Sequence, residues 1–332
     1  MRVLISGGGT GGHVFPAIAI ADALKKLVPS CEFLFVGANG KIEMDKVPAA
    51  GYKIIGLDIK GFKRKVSFDT ISTLFKVSKS AFKALNIVRA FKPDVAIGVG
   101  GYASGPVLKI ASVLGIPTMI QEQNSYAGVT NKLLAQKASK IFVAYDGMEK
   151  FFQKDKIVLT GNPVRSNIGE KLMSSDQAKL SLGIPDHHKV ILILGGSLGA
   201  RTLNEAMVAG YEQLRNRLDI TIIWQVGKLY LEEFKSSNVA LMPNVKPVAF
   251  IEDMSSVYAA VDVIVARAGA LTISELAIVG KPAILIPSPN VSEDHQTHNA
   301  MSLVKVGAAM FIEDKNAVST MVKQMLVLLD DD

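Results

Sequence analysis

A loop of Gly7-Gly8-Gly9-Thr10-Gly11-Gly12-His13 follows the apolar run Val3-Leu4-Ile5 and leads into Pro16-Ala17-Ile18-Ala19-Ile20-Ala21-Asp22-Ala23-Leu24. That order reads as strand, tight turn and helix. Glycines reach positive φ and let the backbone approach a ligand, and Pro16 suits the first turn of a helix, where its missing N–H has no partner to lose. The unpaired amides and the dipole of such a helix start attract an anion, most often a phosphate. Gly7, Gly9 and Gly12 also satisfy the G-x-G-x-x-G spacing of dinucleotide sites. A nicotinamide or flavin fold wants a carboxylate at the tip of its second strand to hold the ribose hydroxyls. Here that strand, Phe33-Leu34-Phe35-Val36, runs into Gly37-Ala38-Asn39 with no acid, which argues against a dinucleotide.

The elements that must position this loop repeat along the chain. Asp94-Val95-Ala96-Ile97 runs into a second glycine loop, Gly98-Val99-Gly100-Gly101-Tyr102-Ala103-Ser104-Gly105-Pro106, and Pro117-Thr118-Met119-Ile120 leads to Gln121-Glu122-Gln123-Asn124. Gly161-Asn162-Pro163-Val164-Arg165 marks a domain boundary, with a polar stretch to about His188. Then the pattern restarts: Val190-Ile191-Leu192-Ile193-Leu194 is a buried strand, Gly195-Gly196-Ser197-Leu198-Gly199-Ala200 a third glycine loop, and Thr202 to Arg217 a helix. Val261-Asp262-Val263-Ile264-Val265 precedes a fourth turn, Ala266-Arg267-Ala268-Gly269-Ala270-Leu271-Thr272, which opens a helix through Ser274 and Glu275. Strands alternating with helices give a parallel sheet covered on both faces, with ligands at the carboxyl ends of the strands. The expected fold class is therefore α/β, with two Rossmann-like domains at 1–163 and 164–332 whose parallel sheets face a central cleft able to hold a diphosphate from each side.

The bulk numbers bound this reading. In 332 residues, 49% are apolar and 20% charged, which describes a globular protein with a substantial core. The Met1-Arg2 start reaches glycine too soon for a signal-peptide core, and no apolar run is long enough to span a bilayer, so a cytoplasmic protein is expected. Cys31, the single cysteine, agrees with a reducing compartment and reads as a core residue at a strand edge. A net charge of +7 favours an anionic partner. Between Lys60 and Lys92 the basic residues Lys60, Lys63, Arg64, Lys65, Lys76, Lys79, Lys83, Arg89 and Lys92 face a single acid, Asp69. Phe68, Phe75 and Phe82 recur every seven residues, while Ile71, Leu74, Ala81, Leu85 and Val88 supply a separate inward face. Two readings stay open: a basic, aromatic surface that docks on anionic lipid headgroups, or core phenylalanines beside solvated lysines. The helical spacing of the aromatics and the lack of a standard module argue against nucleic acid.

Taken together, the loops resemble the MurG family, the undecaprenyl-diphospho-muramoylpentapeptide β-N-acetylglucosaminyltransferases of bacterial cell-wall synthesis. The resemblance rests on Gly8-Gly9-Thr10-Gly11-Gly12-His13-Val14-Phe15-Pro16, the second glycine loop, Glu122-Gln123-Asn124, Gly161-Asn162-Pro163-Val164-Arg165, Gly195-Gly196-Ser197, Gly269-Ala270-Leu271-Thr272 and Asp294-His295-Gln296. It implies the GT-B fold, with the active site between two Rossmann-like domains, at the cytoplasmic face of the plasma membrane. It also implies transfer of GlcNAc from UDP-GlcNAc to the MurNAc 4-hydroxyl of lipid I, giving lipid II and UDP with inversion. By resemblance, Thr10, Gly11, Gly12, Asn124, Arg165, Ser197, Ile251, Ala270, Leu271, Thr272, Ile273, Ser274, Glu275 and Gln296 fall at donor-binding positions. Gly9, Gly100, Gly101, Tyr102 and Ser104 fall to the acceptor diphosphate.

Each assignment has a physical rationale. Ser197 and its neighbouring amides can hold the donor diphosphate, whose charge grows in the transition state. Arg267 either adds positive charge there or braces its loop. Glu275 can accept the ribose hydroxyls, against the alternative of a solvated helix face, and Ile251 can offer only its backbone to uracil. Gln296 and Asn299 are amides suited to sugar hydroxyls. His13 is the expected general base, because a helix N-terminus disfavours imidazolium; the alternative is a histidine that only hydrogen-bonds phosphate or the loop. No paired aspartates end a core strand, and Asp294, His295 and His298 lack a well-placed third ligand, so neither metal nor cofactor is expected. Two other functions remain open: a related GT-B transferase with another lipid acceptor such as a diacylglycerol, or a non-catalytic module binding nucleotide sugar or lipid phosphate. Family members usually continue beyond the helix that begins near Asn316, with a last helix that braces the first domain, whereas this sequence stops at Asp332.

Overall fold

The structure, a computed structural model, describes residues 1–59, 70–164, 168, 173–196, 198–291 and 294–331, with side chains outside 70–79. The chain divides into two compact units, Met1–Arg165 and Ser166–Asp332.

Unit 1 is a seven-stranded sheet in the order β3-β2-β1-β4-β5-β6-β7. Its strands are β1 (Arg2–Ser6), β2 (Glu32–Ala38), β3 (Ile54–Leu57), β4 (Val95–Gly98), β5 (Thr118–Glu122), β6 (Lys140–Val143) and β7 (Ile157–Leu159). Every neighbouring pair is parallel. The crossovers include α1 (Gly11–Leu27), α2 (Glu43–Ala49), α3 (Thr70–Phe91), α4 (Ser104–Val113) and α5 (Val129–Ala135). Alternation along β1 shows why both faces need cover. Val3 and Ile5 pack with Val14, Ala17 and Ala21 of α1, whereas Leu4 packs with Ala84 and Val88 of α3 and Val107 and Leu108 of α4. Burying each such aliphatic side chain contributes about 1.5–3 kcal/mol. Strand order reverses direction between β1 and β4, so their carboxyl ends open a crevice, and the register sets Ser6 level with Gly98.

Unit 2 has a six-stranded sheet in the order β10-β9-β8-β11-β12-β13, all parallel. Its strands are β8 (Lys189–Leu194), β9 (Ile220–Gln225), β10 (Val245–Val248), β11 (Val263–Ala266), β12 (Ala283–Leu285) and β13 (Met310–Phe311). The helices are α6 (Ser175–Ser181), α7 (Arg201–Ala209), α8 (Tyr211–Leu214), α9 (Leu231–Phe234), α10 (Met254–Ala260), α11 (Ala270–Val279), α12 (His295–Val304) and α13 (Asp314–Asp330). Ile191, Ile193 and Trp224 pack against Leu203 and Met207 of α7 and Met321 and Met325 of α13. The buried Trp224 indole donates to Asn204 Oδ1 at 3.0 Å, and Asn204 Nδ2 donates to the Val226 carbonyl at 3.0 Å, so both side chains are paired inside the core.

Three local expectations need correction. Pro16 is not in the first turn of α1: Gly11 and Gly12 are themselves helical, Thr10 is the extended N-cap, and Pro16 sits buried in the second turn, unable to donate to the Gly12 carbonyl. The helix expected from Thr202 to Arg217 breaks at Gly210, where a Cβ would stand 2.4 Å from Val322 on α13; close approach of that helix decides the break. On α3, Ala84, Ile87 and Val88 are buried, Ala81 and Leu85 only partly so, and Phe82 is 65% exposed. Phe82 is therefore not a core residue; Phe68 and the side chains of Ile71, Leu74 and Phe75 lie outside the described residues.

Candidate active site

In unit 1 the first and second glycine loops interlock. Gly8 N–H donates to the Gly100 carbonyl at 3.3 Å, and a Cβ on Gly101 (φ +83°) would stand 2.3 Å from the Gly8 carbonyl oxygen. Only glycine permits both the backbone and the approach. Ser104, fully buried, donates its hydroxyl to the Gly101 carbonyl at 2.9 Å and so shapes this loop from within, while Tyr102 projects with 54% exposure. Gly9, Gly100, Gly101, Tyr102 and Ser104, the positions expected at the acceptor diphosphate, are thus brought together, but their geometry differs. The Gly9 amide already donates to Glu43 Oε2 at 2.8 Å, so it does not point at a ligand. The first-turn amides of α1, at Gly11 and Gly12, have no intrahelical acceptor, and that turn carries no acidic residue.

His13 stands in the first turn of α1. Its Nδ1 lies 3.1 Å from the Gly8 carbonyl oxygen and 3.3 Å from Thr10 Oγ1. A carbonyl can only accept, so Nδ1 is the donor in this contact, and in a neutral ring that leaves the lone pair on Nε2. A side chain at Gly100 would meet that edge, since its Cβ would stand 2.9 Å from Nε2.

At the end of β5, buried Glu122 anchors the third loop of this unit: it accepts from Asn124 N–H (3.1 Å), Asn124 Nδ2 (3.1 Å), Gly128 N–H (3.0 Å) and Asn131 Nδ2 (2.9 Å). Asn124 is therefore placed by a carboxylate that compositional reading passes over. Glu43 was missed outright. No acid follows β2 in sequence at its tip, yet the first turn of α2 folds Glu43 back so that Oε1 accepts from Ala38 N–H at 2.9 Å. Buried, and with both oxygens taken by the Gly9 and Ala38 amides, this carboxylate is not offered to a ribose.

In unit 2 the register aligns Leu194, Gln225 and Ala266, which places the third and fourth turns and the end of β9 side by side. Gly199 (φ +87°) and Gly227 (φ +93°) touch: a Cβ on Gly227 would lie 2.2 Å from the Gly199 Cα. Gln225 is the second missed residue. Buried, it donates from Nε2 to the Gly196 carbonyl at 2.8 Å and accepts the Ile251 N–H at 3.0 Å. Ile251 thus has its amide occupied and offers its carbonyl. The one mark in the sequence is a polar residue that ends the mainly apolar run Ile220–Trp224, and it does not say what Gln225 holds.

Ala270 to Glu275 form the first turns of α11, with Gly269 as N-cap and no acidic residue in the first turn. Glu275 is buried and its Oε2 accepts from the Tyr258 hydroxyl at 2.9 Å, which removes the solvated-face alternative. Arg267 takes the bracing geometry: it pairs with Asp314 and donates to the Ile286 and Pro287 carbonyls at 3.0 and 3.2 Å. Gln296 accepts from Ser288 N–H at 2.9 Å, and Asn299, fully buried, donates to the Ala268 carbonyl at 3.5 Å. Asp294 accepts from the Thr297 hydroxyl at 2.7 Å, and among the described residues no three His, Cys, Asp or Glu side chains group as metal ligands. Asp253 caps α10 beside Ile251; hydrogen bonds from the Ser256 hydroxyl and amide hold its carboxyl below the usual range. Arg165 and Ser197 lie outside the described residues.

Residues 3–143 match the glycosyltransferase family 28 N-terminal domain and residues 190–332 its C-terminal domain. The chain is 55% identical over 319 residues to a UDP-N-acetylglucosamine–N-acetylmuramyl-(pentapeptide) pyrophosphoryl-undecaprenol N-acetylglucosamine transferase of Bacteroides fragilis, covering 96% of this chain and 84% of that one. It is 52% identical over 334 residues to the Bacteroides thetaiotaomicron protein of the same name, covering 100% and 90%. The crystal structure of Acinetobacter baumannii MurG superposes with a TM-score of 0.72 at 30% identity, covering 98% of this chain and 90% of that one. Two doubly wound units with glycine loops at their switch points, and these likenesses over nearly the full chain, place it in the GT-B glycosyltransferases. The chain belongs to the MurG family of UDP-N-acetylglucosamine–N-acetylmuramyl-(pentapeptide) pyrophosphoryl-undecaprenol N-acetylglucosamine transferases.

Proposed function

We propose that this chain transfers GlcNAc from UDP-GlcNAc to the MurNAc 4-hydroxyl of lipid I, forming lipid II and UDP with inversion, as a step of peptidoglycan synthesis. The observation that carries the reading is identity of 55% over 96% of the chain to a relative named for that transfer. Unit 1 receives the acceptor and unit 2 the donor. His13 Nε2 takes the proton of the 4-hydroxyl as its oxygen attacks the anomeric carbon, and the bond to the UDP oxygen breaks on the opposite face. The charge that grows on the departing diphosphate meets Ser197, the amides of the third loop and the N-terminus of α11. Glu275 accepts the ribose hydroxyls, and the Ile251 carbonyl accepts from uracil. The second glycine loop holds the acceptor diphosphate, while Thr10, Gly11 and Gly12 serve the donor.

The enzyme works at the cytoplasmic face of the plasma membrane without spanning it. Among the described residues no helix is long and apolar enough to cross a bilayer. Exposed Phe82, with Arg89 and Lys92 exposed further along the same segment, supports docking on anionic lipid.

A label-transfer assay with UDP-GlcNAc and a lipid I analogue, with and without EDTA, tests the reading. Labelled disaccharide lipid in both tubes is expected. Product only without EDTA would keep the transferase and overturn the assignment of leaving-group stabilisation to protein groups alone. UDP-GlcNAc binding without product would overturn the acceptor assignment and favour another lipid.

A further inference from the structure

The Gly8–Gly9 peptide joins two of the contacts described above. Its N–H donates to Glu43 Oε2 at 2.8 Å, and its carbonyl accepts from His13 Nδ1 at 3.1 Å. A trans peptide carries these groups on opposite edges, so one plane lies between a carboxylate and an imidazole. Its orientation is unusual: Gly8 has φ +148° and Gly9 φ +90°, which L side chains rarely adopt. A Cβ on Gly8 would stand 2.2 Å from Glu43 Oε1, and one on Gly37 2.5 Å from Glu43 Cγ, so two glycines make room for this one side chain. Glu43 is 1% exposed, and both of its oxygens accept from backbone amides, Ala38 being the second donor. It is therefore built in as an acceptor and is not in reach of solvent.

We infer that Glu43 is a positioning residue for His13, acting through the Gly8–Gly9 peptide: it fixes the carbonyl that holds His13 in the Nδ1–H tautomer and strengthens His13 as a base. Hydrogen bonds in series polarise one another, so an anion on the N–H makes the carbonyl a better acceptor and stabilises the imidazolium that forms when Nε2 takes a proton. The arrangement resembles a catalytic triad in logic, with one peptide unit inserted between carboxylate and imidazole. The inference rests on the reading of His13 as general base. Among the described residues, the elements around His13 also carry Tyr102 in the second glycine loop, Glu122 at the end of β5 and Lys132 on α5; the Glu122 carboxylate is taken by Asn124, Gly128 and Asn131, and the Lys132 ammonium lies over the Tyr126 and Phe151 rings.

The sign of the effect is fixed. Removing the anion weakens the base, so the acidic limb of the pH profile of kcat moves to lower pH while kcat falls. Glu43→Gln in the full chain is expected to lower kcat about three- to tenfold, shift that limb down by about half a pH unit and leave the KM for UDP-GlcNAc within about twofold. A fall in kcat with an unmoved limb would reduce Glu43 to a structural part of the loop and overturn the inference, as would wild-type turnover. Histidine 15N NMR of the wild-type protein, with the His13 signal identified by its loss in His13→Ala, gives a test that does not need the variant to fold. The Nδ1–H tautomer is expected, and the Nε2–H tautomer overturns the inference. Turnover of His13→Ala separates the two levels. If it stays within tenfold of wild type the base reading itself fails, whereas an inactive His13→Ala beside an unshifted Glu43→Gln sinks only the role of Glu43.

Discussion

On the proposed function, His13 works through a ring nitrogen and Gln225 through the loops it joins, and their substitutions separate accordingly. General-base removal costs about 10²–10⁴ in rate, so His13→Ala is expected to lower kcat by at least a hundredfold with UDP-GlcNAc binding retained. Steady-state kinetics beside equilibrium binding of UDP-GlcNAc check both halves. Gln225 touches the Gly196 carbonyl and the Ile251 amide, both on loops assigned to the donor. Gln225→Ala leaves those buried groups unsatisfied, at about 1–3 kcal/mol each. The expected result is a KM for UDP-GlcNAc raised about tenfold with kcat changed less than threefold; an unchanged KM would show that the two loops hold their shape without it. Neither Gln225 nor Glu43 was legible in the sequence for a simple reason. Their function lies in where a parallel register and a returning helix bring one side chain, and no local motif encodes that.

Elements were more legible than their ends. Glycine loops after apolar runs located β1, β4, β8 and β11, because a turn that needs positive φ leaves its mark in residue type. The break at Gly210 did not show, since it answers to Val322 more than a hundred residues away. Likewise the spacing on α3 offered two stripes and could not say which was covered; among the described side chains, Val88 is buried beside Ala84 and Ile87 while Phe82 is exposed. The cap of α10 shows what an element end contributes. Asp253 accepts from the Ser256 amide at 3.2 Å, and an N-cap aspartate replaced by alanine costs about 1 kcal/mol. Because the folded carboxyl lies below its unfolded value, that stability is present above the unfolded pKa and is lost as pH falls through the folded one. Urea midpoints of wild type and Asp253→Ala should therefore differ at pH 7 and draw together as pH falls below the ordinary aspartate range. A difference that persists at the lower pH would mean that the carboxylate is not the cap.

Across unit 2 as a whole, α13 is fastened at both ends by pairs that span long stretches of sequence. At its start Asp314 pairs with Arg267, 47 residues away, and accepts from the Thr202 hydroxyl at 3.1 Å. At its end Asp330 pairs with Arg217 at 3.0 Å and the Leu329 carbonyl accepts from Lys189 at 2.8 Å. The two ion pairs differ in burial, and that decides their weight. The Arg267 and Asp314 side chains are only 13% and 19% exposed, so removing one partner strands a charge and costs about 3–5 kcal/mol. Asp330 is 54% exposed, and its pair contributes about 0–1 kcal/mol. Thermal unfolding should thus fall by several degrees in Arg267→Met and by little in Arg217→Met. The same comparison decides what Arg267 does in catalysis. If it braces the loop that opens α11, then Asp314→Asn, which removes only the partner, should raise the KM for UDP-GlcNAc as Arg267→Met does. If Arg267 instead reaches the donor diphosphate, Asp314→Asn frees the guanidinium and leaves KM unchanged or lower. Parallel rises in both variants are expected, because the guanidinium is already held by one carboxylate and two carbonyls.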